Sequence, residues 1–296
     1  MERYGAAILI GIAVGFADRW MMLRSDYRHY PTYPHGQMTH LALGFIAASL
    51  GAVAVPAIAK PDYVAVTFLV LAAQQFRDVR NMERESLNRL EETKLIRRGS
   101  DYIEGIARVF EARNYLVIFA ALISSAAAFW LGWQYGLLFG AVAIILSLCL
   151  MSGSYVGDIA EIFAGEVHFQ DSLLMVNDIV IMNVGLPATR QKILEEGMAV
   201  IIRPKDDDAR LTLDAPGQRM AIVHDVVSIL GSKVDINETE LMPMARKHPD
   251  KGYLGFFLVA NEPDLDYLME IIRKVPVLES ARGTALKSYF GRKAAD

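Results

Sequence analysis

Two aspartates stand where carboxyl groups are costly to keep. Asp18 lies in GFADRW (15–20) within an otherwise apolar run, with Arg19 directly after it. Asp158 lies in GSYVGDIAE (153–161), just past the last apolar run of the chain. Ionisable groups at membrane depth are rare and mark working sites by default. Two carboxyl groups that share a proton can serve as general base and general acid on a water attacking a peptide bond, because like charge and desolvation drive their pKa values apart. The structural alternatives are an ion pair of Asp18 with Arg19 and a helix-end role for Asp158.

Other candidate groups make weaker patterns. His29, His35 and His40 fall in DYRHYPTYPHGQMTH (26–40). Three neutral imidazoles can ligate a metal, but this spacing matches no zinc motif, so an aromatic interfacial loop or docking surface is preferred. KDDDAR (205–210) lacks the ordered ligands and closing glutamate of a calcium loop and reads as a solvated turn. His224-Asp225 reads as a structural pair or a partner contact within a helix. The single cysteine, Cys149, excludes a disulfide within the chain and a cysteine zinc site. No metal and no other cofactor is expected.

The elements that must position the aspartates come from hydropathy. The 296 residues are 53% hydrophobic, and the excess precedes residue 155 or so. A membrane helix needs about 20 apolar residues. Gly5–Leu23, Leu41–Ala59, Tyr115–Trp133 and Gly136–Ser152 meet this, and the shorter Tyr63–Phe76 is taken as a fifth span with Arg77 snorkelling to the surface. Arg24 and Arg28 lie between the first two spans, and Arg77, Arg80, Arg84, Arg89, Lys94, Arg97, Arg98, Arg108 and Arg113 between the third and fourth. The positive-inside rule then puts the amino terminus outside and the carboxyl-terminal region in the cytoplasm, with Asp18 and Asp158 at similar depth. The net charge of −4 argues against nucleic acid as a partner.

Four segments follow: spans 1–3 over 1–76, a cytoplasmic and interfacial helical loop over 77–114, spans 4–5 with an extension over 115–166, and a cytoplasmic α+β domain over 167–296. In the loop, RRGS (97–100) breaks a helix and Asp101-x-x-Glu104 resembles a capping box. Ile103, Ile106, Ala107 and Phe110 then share one face, the pattern of a helix lying on the cytoplasmic leaflet. LLMVNDIVIMNVG (173–185) suits either strand or helix. From Gly197, MAVIIRP and ARLTL read as strands, GQRMAIVHDVVSILG as a helix ended by Gly231, and ELMPMARKHPDKGYLGFFLVAN as a hairpin turning at Pro249–Gly252. DLDYLMEIIRKV reads as a second helix and PVLESARG as the last strand. That order, βαββαβ over about 197–283, matches a ferredoxin-like sandwich. The fold class is thus a membrane α-helical bundle of about five spans plus a cytoplasmic α+β ferredoxin-like domain.

Two resemblances bear on function. Tyr102-Ile-Glu-Gly-Ile-Ala107 matches the signature of the YIEGIA family, multi-pass membrane proteins of endospore-forming Firmicutes, and the arrangement of the whole chain is similar to that family. The resemblance implies a role in sporulation, in the membrane around the forespore, and carries no catalytic residue list. Gly15-Phe-Ala-Asp18 and Tyr155-Val-Gly-Asp158 resemble the Gly-x-Gly-Asp intramembrane aspartyl proteases, the presenilin and prepilin-peptidase group. Asp18's motif has Ala for the second Gly, and Asp158's lacks the first. The expected function is a membrane-bound aspartyl protease at the cytoplasmic face, with Asp18 and Asp158 as its pair. The rival is a non-enzymatic scaffold or signal relay. The expected partners are the lipid bilayer and a protein substrate or regulatory protein.

Overall fold

The computed structural model describes residues 2–26, 34–59, 63–151, 153–236, 238–283, 288, 289 and 293. The chain divides into two compact units, one of Met1–Glu85 with Ile106–Ser152 and one of Ser86–Gly105 with Gly153–Asp296. The stretch Ser86–Gly105 thus groups with the carboxyl-terminal unit.

The first unit is helical: α1 (Glu2–Asp26), α2 (Pro34–Ala59), α3 (Tyr63–Arg77), α4 (Val79–Glu91, which runs on into the second unit), α5 (Ser100–Trp130, entering from the second) and α6 (Trp133–Leu150). Among the described residues four stretches are long and apolar enough to cross a membrane: Tyr4–Leu23, Gln37–Ala59, Ser100–Trp130 and Trp133–Leu150. At 15 residues α3, the expected fifth span, falls short of that length.

Small residues let these helices approach backbone to backbone, as packing in lipid requires. A Cβ on Gly15 would lie 2.8 Å from the Ala48 Cβ, and one on Gly11 2.8 Å from that of Ala52, so α1 and α2 run antiparallel. A Cβ on Gly51 would lie 2.2 Å from the Ile118 carbonyl oxygen, and the Ser125 hydroxyl donates to the Ala52 carbonyl at 2.8 Å. With the His40 and Phe110 rings 4.7 Å apart, these pairings run upward together, and α2 and α5 are parallel. Val14 meets Gly140 and Asp18 meets Ser147, so α1 and α6 are parallel as well.

The second unit holds α7 (Val156–Ile159), β1 (Ala160–Gly165), β2 (Val167–Gln170), β3 (Leu173–Val176), β4 (Ile179–Asn183), α8 (Pro187–Glu196), β5 (Gly197–Pro204), α9 (Asp207–Asp214), α10 (Pro216–Leu230), β6 (Met244–Lys247), β7 (Leu254–Val259) and α11 (Leu265–Arg273). One antiparallel sheet has the order β1-β5-β7-β6, and a second, β2-β3-β4, is an antiparallel meander. LLMVNDIVIMNVG is thus the β3–β4 hairpin, turning at Asn177 with a left-handed φ of 51°. Leu174, Val176, Ile179 and Ile181 of the meander pack on Ala199, Ile201, Phe257 and Val259 of the larger sheet. Helices α10 and α11 pack together, and α11 also meets β1 and β5. Because both faces are covered, β7 is buried along its whole length, which explains its unbroken apolar run.

Two expected strands are replaced. ARLTL lies in α9, because the Asp206 carboxylate accepts the Ala209 amide at 2.7 Å and starts a helix there; this cap is also what KDDDAR does. In PVLESARG, Pro276 makes one isolated bridge to Tyr155 and Glu279–Ala281 is a 3-10 turn. The edge place beside β5 is taken by β1, which arrives first in the chain and pairs with β5 along its full length.

Candidate functional site

Asp18 and Arg19 are both fully buried in α1. Successive helical side chains diverge by about 100°, so the two point to different neighbours. The Asp18 carboxyl meets the Ser147 hydroxyl of α6. The Arg19 guanidinium turns the other way. Its stem crosses Gly44, where a Cβ would lie 2.4 Å from Arg19 Cγ, and its Nη2 donates to His40 Nδ1 at 3.2 Å. Its Cζ sits 5.1 Å from the centre of the Phe110 ring, a cation–π distance. The other imidazole nitrogen, His40 Nε2, lies 3.9 Å from Glu83 Oε1 of α4.

This end of the bundle therefore gathers Asp18, Arg19, His40, Glu83 and Ser147, all buried. The arrangement fixes the ring of His40: with Nδ1 accepting from Arg19, the proton belongs on Nε2, facing the Glu83 carboxylate. Such a chain can hold or pass a proton. Sequence reasoning singled out Asp18 and missed Glu83. The available signal was that Val79, Glu83 and Leu87, at i, i+4 and i+8, form one buried face of an amphipathic helix with a carboxylate on it.

Asp158 belongs to the second unit and is exposed. Its Oδ2 accepts the Tyr155 amide at 2.7 Å, closing the short α7, while Lys205 Nζ donates to the Gly157 and Asp158 carbonyls at 3.0 and 2.9 Å. That is helix-end geometry. The Arg19 guanidinium engages His40 and Phe110, while its charge also acts on the neighbouring Asp18 carboxyl. Of the three histidines, His29 lies outside the described residues, as does the side chain of His35. Among the described residues no three His, Cys, Asp or Glu side chains gather into a metal site.

The Tyr102–Ala107 signature is not a lipid-facing stripe. Tyr102, Ile103, Ile106, Ala107 and Phe110 are all buried in protein. Within the second unit, the Tyr102 and His224 rings stand 6.1 Å apart, edge to face, and a Cβ on Gly217 would lie 3.2 Å from the Asp101 carbonyl group. Gly105 faces Ser280, whose hydroxyl would be 2.5 Å from an added Cβ. The segment leading into this turn is clamped by a buried ion pair. Arg98 Nη1 reaches Glu91 Oε1 at 2.9 Å, and the Arg98 amide donates to Glu91 Oε2 at 2.8 Å. Gly99 then turns the chain with φ +78°, a conformation glycine adopts freely. Burial alone would push the Glu91 carboxyl up, but the Arg98 amide, Lys94 and the Arg98 guanidinium together hold it below the usual range.

The four long apolar helices and the buried ionisable cluster among them define a multi-span membrane protein that also carries an α+β unit. The chain belongs to the YIEGIA family: the profile described as YIEGIA protein matches residues 7–288. It is 42% identical over 281 residues, covering 95% of each chain, to the protein named Uncharacterized protein YphB of Bacillus subtilis (strain 168). No solved structure matches.

Proposed function

We propose that this chain is a sporulation-associated membrane protease whose acid–base site lies at the cytoplasmic end of the helical bundle, in the membrane around the forespore. The observation that carries this reading is Asp18, a fully buried carboxyl within a long apolar helix, set against the Ser147 hydroxyl and the Arg19 charge. A carboxyl that costs so much to bury at membrane depth marks a candidate working group. Asp158 is the expected second acid, and its exposed capping role makes it the weaker member of the pair. The nine basic residues from Arg77 to Arg113 support an outer amino terminus and a cytoplasmic carboxyl-terminal unit. In that unit the order β1-β5-β7-β6 supports a ferredoxin-like reading in which the outer strand comes from the amino-terminal side. Its role is to select a protein substrate or bind a regulatory protein.

The test compares proteins that accumulate in sporulating cells lacking the gene with those in cells carrying Asp18→Asn or Asp158→Asn, each checked for normal membrane abundance. Asn preserves the Asp158 cap through its carbonyl oxygen. The same proteins should persist in the null and in Asp18→Asn. Normal turnover in both substituted strains removes the aspartyl mechanism.

A second reading, a non-enzymatic relay, draws on the signature turn packed against α10. It expects both aspartates to be dispensable and substitutions at Tyr102 and Gly217 to abolish function.

A further inference from the structure

We infer that α3 is a fifth membrane crossing, shorter than the bilayer, and that its exposed apolar face meets acyl chains drawn thin around it. The argument comes from helix direction. His40 near the start of α2 lies against Phe110, and Ala52 further along lies against Ser125. Two long membrane helices that follow one another in the chain, α2 and α5, thus run the same way. The chain between them must return across the membrane. Helix α4 shows where it arrives, with Glu83 3.9 Å from His40 and Arg80 3.8 Å from Glu111, at the end of the bundle where α2 begins. Since α2 ends at Ala59 on the far side, α3 makes the return.

Its 15 residues at about 1.5 Å each reach only about 22 Å, against about 30 Å of hydrocarbon. In the sequence Asp62 precedes the helix and Arg77-Asp78 close it, and charges so placed are costly to draw into hydrocarbon. Tyr63, Val70 and Leu71 are 85%, 53% and 56% exposed, and the face away from α2 is almost wholly apolar. In a membrane-embedded bundle such a face belongs to lipid. A crossing that is too short and pinned at both ends is matched by local thinning. The thinned lipid borders the end of the bundle that holds Arg19, His40 and Glu83. Water is thereby brought towards a cluster that full-thickness hydrocarbon would seal. This last consequence rests on the proposed working site; the crossing itself does not.

Single cysteines test the crossing. In a Cys149→Ser background, Tyr4→Cys, Asp26→Cys and Ala59→Cys are probed in intact cells with a membrane-impermeant maleimide. Labelling of Tyr4→Cys and Ala59→Cys from outside, with Asp26→Cys reached only after permeabilisation, is expected. With Glu92→Cys added beyond α3, labelling of it only from the side opposite Ala59→Cys is expected, and labelling of both from the same side means that α3 does not cross and overturns the inference, whatever the aspartate substitutions do. Thinning is tested by unfolding temperature after reconstitution in short-, medium- and long-chain phosphatidylcholine. The highest value is expected in the short-chain lipid, moving to a longer lipid when one turn of leucine is inserted after Val70. An optimum in long-chain lipid, or none, overturns the thinning.

Discussion

Replacing Glu91 by Gln strikes the clamp that holds the signature turn, and its cost follows from burial. Glu91 and Arg98 are each 3% exposed, and the carboxylate takes the Arg98 amide, the Arg98 guanidinium and, at 3.1 Å, Lys94 Nζ. A glutamine amide can keep one of these bonds. It leaves the guanidinium without its counter-charge, and breaking one side of a buried pair costs about 3–5 kcal/mol. For a unit of this size, with about 2–4 °C lost per kcal/mol, that is a drop of roughly 6–20 °C. Glu91→Leu with Arg98→Met removes both charges and should cost much less, about 1 kcal/mol or so, because desolvation of the pair is also abolished. The assay is thermal unfolding of the detergent-solubilised full chain by circular dichroism, on both single variants and the double variant. A Glu91→Gln protein within about 1 kcal/mol of the parent would refute the reasoning, since exposed pairs are worth no more than that. So would additivity of the two single changes, because a clamp acts as one unit.

Gly51→Ala and Gly105→Ala should differ although each adds one methyl group. The Gly51 Cβ would meet a backbone carbonyl at 2.2 Å, which forces α2 and α5 apart at about 1–3 kcal/mol, whereas at Gly105 the Ser280 hydroxyl can rotate away. Denaturation in mixed micelles measures both, and equal losses would count against the close helix approach. Asp178, at the β3–β4 turn, bonds Lys251 at 2.6 Å and the Tyr253 hydroxyl, which hold its carboxyl down at about 2. A lowered carboxyl pKa contributes stability that is complete above the ordinary value and is lost as the pH falls towards about 2. Asp178→Asn should flatten that acid limb in unfolding against pH; an unchanged limb would assign it to other carboxylates.

The long apolar runs were legible because spanning lipid requires about 20 residues of one character, a demand that no tertiary context relaxes. The helices α10 and α11 and the β6–β7 hairpin were legible for a related reason, since caps, Gly231, Gly252 and the turn at Pro249 act locally. Short segments with balanced propensity were not. ARLTL alternates like a strand, but the Asp206 cap decides for helix, and PVLESARG lost its place at the sheet edge to β1. The candidate site divides the same way. Asp18 is visible because a charge in an apolar run stands out by itself. Its meeting with Ser147, the turning of Arg19 onto His40 and Phe110, and the approach of Glu83 join residues far apart in the chain. The signature hexapeptide reads as an amphipathic stripe, which records that one face avoids water but not whether lipid or protein covers it. Only the fold supplied the cover, because hydrophobicity is indifferent to its partner and packing is not.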